Sequence, residues 1–128
     1  MKIKVSTLAR ALTQDYTADF PVDTKSFLVR VQLTKCDDYE VFHDAMDKAG
    51  FKREIEDLGG KLRRLPDATY FISGEPENTR PQSVHSKASQ VVRKFRHETE
   101  QLAITSQILV VAVNGAWFEL DEVPDEQE

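Results

Sequence analysis

The chain has one cysteine, Cys36, among its 128 residues. That excludes an internal disulfide and any metal site built on cysteine pairs, and it fits a reducing, cytoplasmic setting. Long apolar runs are also missing: nothing approaches the ~18 residues of a membrane span. The opening Met1-Lys2-Ile3-Lys4-Val5 has a basic flank with no apolar stretch behind it, so no secretory signal is expected. Glycine is sparse, at five residues. There is no phosphate-cradling glycine loop, no metalloprotease histidine pair and no nucleophile elbow. The general enzyme signatures are therefore absent, and no cofactor or resident metal is expected.

Net charge is −5, but it is unevenly placed. Six acids and no base fall between Glu119 and Glu128; the rest of the chain holds 17 basic and 16 acidic residues. Arg80 to Arg96 contains Arg80, Lys87, Arg93, Lys94 and Arg96 with no acid. An anionic partner is thus compatible with the low isoelectric point. The C-terminal acids read as a solvated tail over residues 121–128.

At this length one domain is expected. Residues 1–26 read as an appendage: a short edge strand over Lys2 to Val5, a short helix capped by Ser6 with Leu8, Ala11 and Leu12 on one side, and a linker from Asp15 to Ser26. The domain proper spans 27–120. Phe27, Val29, Val31 and Leu33 alternate with Arg30 and Gln32, the period-2 pattern of a strand with one buried face. A helix follows, with Asp37 as N-cap and Glu40 at capping-box spacing. Phe42, Ala45, Met46 and Ala49 form its apolar stripe, and Gly50 its left-handed stop. Phe51 to Glu56 reads as a second strand with Phe51, Arg53 and Ile55 on one side. Gly59-Gly60 turns it into a return strand, interrupted at Pro66 and resumed over 68–72. Ser73 to Arg80 is a polar loop. Pro81 opens a second helix with Val84, Ala88, Val91, Val92 and Phe95 on its inner stripe. A last strand, Ile108 to Val113, reaches Asn114-Gly115, a strong hairpin signal, with Trp117 to Leu120 as its returning arm.

The order β-α-β-β-α-β indicates an α+β, ferredoxin-like split βαβ sandwich: an antiparallel sheet with two helices on one face, plus a C-terminal hairpin arm. The last strand is apolar on both sides, because Leu109, Val111 and Val113 oppose Ile108, Val110 and Ala112. Its second face needs a cover, either the N-terminal segment or a second subunit, and a homodimer is expected.

The ordered set Asp37-Asp38-Tyr39, His43 with Ala45-Met46, Gly50-Phe51, Arg53, Leu65-Pro66, Ala68, Tyr70, Trp117 and Leu120 resembles a family of small bacterial and prophage proteins. That family is distantly similar to GhoS-type antitoxins, small ferredoxin-like proteins that cleave the messenger RNA of their toxin, and in architecture to small CRISPR-associated proteins that dimerise through their sheets. The resemblance implies either an antitoxin-like or phage-type regulator or an endoribonuclease.

For the chemistry, His43, Arg53 and Tyr70 are the catalytic candidates, with His43 as a general base near a basic residue that holds a phosphate. His43 shares a helix strip with Tyr39 and Asp47. Asp37 and Asp38 lie where a metal-binding acid could sit after the first strand, yet helix capping accounts for both. His43 and Asp47 could chelate an ion, but two ligands are too few to define a site. Cys36 reads as an ordinary thiol. Arg80, Lys87 and Lys94 recur every seven residues along the second helix, a line able to track the phosphates of RNA, or simply a solvated flank. No aromatic residue interleaves with them for base stacking. Two readings follow: a small regulatory interaction protein that binds a protein partner, or a metal-independent or Mg-dependent endoribonuclease.

Overall fold

The computed structural model describes residues 16–19 and 23–123. The strand and helix expected within the first 14 residues, and the tail from 124 on, lie outside the described residues. The described chain runs β1 (Tyr16–Asp19), β2 (Thr24–Thr34), α1 (Tyr39–Lys48), β3 (Glu54–Glu56), β4 (Leu62–Arg64), β5 (Thr69–Pro76), α2 (Pro81–Glu98), β6 (Thr105–Val113) and β7 (Gly115–Phe118). It is an α+β arrangement of one three-stranded antiparallel sheet, two two-stranded sheets and two helices.

The expected period-2 segment becomes the centre of the main sheet. β2 pairs antiparallel with β5 on one side and with β6 on the other. It starts at Thr24, inside the stretch read as a linker, and a bulge between Lys25 and Phe27 lets β5 run on to Pro76, through half of the expected polar loop. Phe27, Val29, Val31 and Leu33 all point to the buried face. Against them pack Phe42 and Met46 of α1, Val84, Ala88, Val92 and Phe95 of α2, and Tyr70 and Ile72 of β5. Both helices therefore lie on one face of the sheet, as their apolar stripes require.

The α1 cap is one residue later than expected: Asp38, not Asp37, accepts from the Val41 N–H, at 3.3 Å. The helix stops at Gly50, whose φ of +98° is the left-handed conformation that favours glycine. After it the chain does not form one continuous second strand. Lys52 makes a two-way backbone bridge to Phe71 of β5, N···O 2.8 and 2.7 Å, and the chain then bends at Arg53. Phe51 and Ile55 consequently do not share a side: Phe51 is in the main core, and Ile55 is in a second cluster with Leu65 and Phe71. β3 and β4 form the expected hairpin around Gly59-Gly60, but as a separate unit.

That hairpin answers half of the question about the second sheet face. Leu28, Val113, Phe118 and Leu120 pack onto the Ile55–Leu65–Phe71 cluster and cover one end of it. The other end stays open, with Leu109 60% and Val111 45% exposed. The C-terminal arm also differs from expectation. β7 pairs with β1, Tyr16 opposite Phe118, rather than folding back on β6. Past Leu120 the backbone is still engaged: the Arg64 N–H donates to Asp121 and the Val123 N–H to Leu62. The first residues of the acidic segment thus run along β4.

Candidate functional site

His43 is carried on α1 and Tyr70 on β5, and register brings them together. The Tyr70 hydroxyl and His43 Nδ1 are 2.8 Å apart. Tyr70 is 1% exposed, and burial pushes its phenol well above its ordinary pKa. His43 is half-buried, and its pKa is held below the usual value, first by that burial and then by the positive charge of Arg53. Arg53 sits in the bend after the Lys52 bridge and lines the same cleft as His43. The three catalytic candidates of the sequence reading therefore converge.

The cleft measures about 470 Å³. Arg30, Gln32, Tyr39, Glu40 and Asp67 complete its polar lining; of these, the sequence placed only Tyr39 beside His43, on one helix strip. Arg30 was visible as a charged residue on the outward phase of β2. Its Nη1 lies 3.4 Å from the Asp67 carbonyl, which accepts from it. The Tyr39 hydroxyl donates to the Leu33 carbonyl at 2.8 Å, which fixes the ring beside His43, centroids 5.9 Å apart. The Arg53 guanidinium makes no hydrogen bond or ion pair among the described residues. The lining thus places two arginines, two carboxylates and one imidazole around one opening, with the charges close to balance.

The other candidates separate. Asp47, considered as a co-ligand of His43, pairs with Lys52 Nζ at 2.9 Å. The Asp37 N–H donates to Gln101 Oε1, and Asp38 is occupied as the cap. Among the described residues no group of three His, Cys, Asp or Glu side chains is placed to hold a metal. Burial raises the Cys36 pKa, so its thiolate is disfavoured. On α2 the basic line is not uniformly free. Arg80 is the N-cap residue and exposed, and Lys94 faces Glu98 at 4.0 Å. Lys87, expected to be exposed, is half-buried with its ammonium 5.9 Å from the centre of the Phe51 ring.

A structural pair was also missed. Asp57 and Arg63 close the β3–β4 hairpin, with Arg63 Nε donating to Asp57 Oδ2 at 3.0 Å. Asp57 Oδ1 accepts from the Gly59 and Lys61 N–H groups at 2.9 and 3.0 Å. Burial alone would raise the Asp57 pKa, but these hydrogen bonds and the Arg63 charge hold it below the usual carboxylate value. An aspartate two residues before a Gly-Gly turn was the available signal.

Among the described residues no helix is long and apolar enough to cross a membrane. No family model, no curated protein and no solved structure matches the chain.

Proposed function

We propose that the chain is a small ferredoxin-like interaction module, a regulator of antitoxin or phage type that works by binding protein, and that it assembles through the edge of β6. The fold assignment rests on strand order: β6, β2, β5 and the Lys52 bridge follow one another across the sheet, each antiparallel to the next. The observation that carries the function is the β6 edge itself. Its outer side has no strand partner among the described residues, and its nine residues include no charge, glycine or proline. Sheet edges are ordinarily blunted by lysine, proline or a bulge, because bare backbone groups recruit another strand. β6 has none of these and adds two exposed apolar side chains beside the edge. Such an edge takes an added strand through main-chain hydrogen bonds.

A second copy fits by symmetry. Antiparallel pairing about Val110 sets Leu109 of one protomer opposite Val111 of its partner, twice, with no charge brought into the pair. Light scattering is expected to give twice the chain mass. Val111→Lys should return a folded monomer, since a charge on the edge strand, at an exposed position, opposes pairing without disturbing the core. A monomeric wild type would end this reading.

The endoribonuclease alternative keeps one observation in its favour, the meeting of His43, Tyr70 and Arg53. It expects RNA binding whose log–log salt slope is about −2 to −3 if Arg80, Lys87 and Lys94 each hold a phosphate. Replacing all three by Ala should flatten the slope, and His43→Ala should slow cleavage by ~10²–10⁴. Wild-type protein that neither binds nor cleaves RNA at low salt would eliminate it.

A further inference from the structure

The geometry points to a binding site for a singly charged tetrahedral oxyanion of phosphodiester type in the cleft between α1 and the Arg53 bend, held by the Arg30 and Arg53 guanidinium groups and by a His43 ring whose proton is fixed on Nε2. The proton assignment follows from hydrogen-bond accounting. The buried Tyr70 hydroxyl has one partner among the described residues, His43 Nδ1. A buried O–H that donates to nothing carries the larger penalty, whereas an oxygen lone pair left idle costs less. Tyr70 therefore donates, Nδ1 accepts, and a neutral His43 must keep its hydrogen on Nε2. Burial and the neighbouring Arg53 both favour that neutral ring. His43 thus offers the cleft a hydrogen-bond donor, and the general-base role expected from the sequence gives way to that of a donor.

Three donors then come from three separate parts of the fold: β2, α1 and the bend after the bridge. Donors arriving from three directions suit a tetrahedral group better than a planar carboxylate, which one arginine fork satisfies alone. Arg53 has no side-chain hydrogen bond or ion pair among the described residues to give up on binding, and Arg30 yields only a long contact to a carbonyl. Glu40 and Asp67 share the lining, so a dianion would meet repulsion that a monoanion largely avoids. The inference is independent of the β6 reading. It bears on the ribonuclease alternative without requiring cleavage.

The test uses the full-length, ¹⁵N-labelled chain near neutral pH. The His43 ring should show a protonated Nε2 and a bare Nδ1, and Tyr70→Phe, which removes the donor at nearly constant shape, should abolish that preference. Dimethyl phosphate should shift the His43 and Arg53 side-chain resonances to saturation. Arg53→Gln should weaken that binding about ten- to a hundredfold, the usual effect of losing a charge-assisted hydrogen bond. Lys61→Gln, in the β3–β4 hairpin outside the cleft and paired with Glu122, should leave it unchanged. Finding the proton on Nδ1 would overturn the inference. So would dimethyl phosphate that fails to saturate, acetate that binds equally well, or an Arg53→Gln variant that binds as wild type does. Binding without cleavage of RNA would uphold it while removing the ribonuclease alternative, and the light-scattering result is separate from both.

Discussion

Asp57→Ala is expected to destabilise the protein by roughly 3–5 kcal/mol, because it removes the carboxylate from a buried ion pair and leaves the Arg63 charge uncompensated. The Asp57 side chain is 2% exposed and that of Arg63 11%. Arg63, whose Nη1 also donates to the Leu120 carbonyl at 3.4 Å, would lose the carboxylate that balances its charge. The Gly59 and Lys61 N–H groups would lose their acceptor as well. Urea denaturation should register the loss, and amide exchange over 54–64 should show whether the hairpin opens first. A cost below about 1 kcal/mol would mean that the pair is not sealed from water. The same residue predicts an acid limit. The Asp57 pKa is lower in the folded chain than its unfolded value of about 3.9. Its stabilisation is therefore complete above that value and is lost as pH falls through the folded pKa. In Asp57→Asn that portion of the acid transition should disappear.

Phe42→Ala should cost about as much, roughly 3–5 kcal/mol, through lost transfer energy and a residual cavity. The ring is fully buried and stands 5.2 Å from Phe95 and 6.3 Å from Tyr70, centre to centre, meeting Tyr70 edge-on. It joins both helices to the sheet, so no single element can move to fill the space. Against a typical total of about 5–15 kcal/mol this is a large share, and a thermal or urea midpoint should show it directly. A change under about 1 kcal/mol would be inconsistent with this packing.

These two positions mark what the sequence could and could not reveal. Phe42 was legible because α1 writes its burial as a 3.6-residue stripe between Asp38 and Gly50, all local information. The same holds for β2, α2 and the doubly apolar β6. Asp57–Arg63 depends on a hairpin whose turn is visible but which meets Leu120, far along the chain, only in the fold. The pairing of β7 with β1 was misjudged because Asn114-Gly115 is a local hairpin signal and the partner that won is not local. The second strand failed for a related reason: alternation through Phe51, Arg53 and Ile55 looks continuous, and only the bend at Arg53 sends Phe51 and Ile55 into different clusters. His43, Arg53 and Tyr70 could be named singly. Their meeting depended on the register of β5 against β2, and Arg30 and Asp67 joined them without any motif to mark them.

The central position of β2 has a consequence for how the chain is made. Its partner β6 is written near the other end of the sequence: Ser26 faces Val113, and the Thr34 and Thr105 hydroxyls hydrogen-bond across 71 residues. On a ribosome β2, both helices and β5 emerge while that flank of the sheet still has no strand to fill it. Val29 and Val31 must therefore wait, half-shielded, for a segment that follows both helices and β5 in the chain. Closure over so long a loop is slow, and an unfilled strand edge invites pairing with other nascent chains. Stalled chains ending before Thr105 should accordingly be protease-sensitive and prone to association, and extending the exposed chain past Val113 should abolish both behaviours in one step.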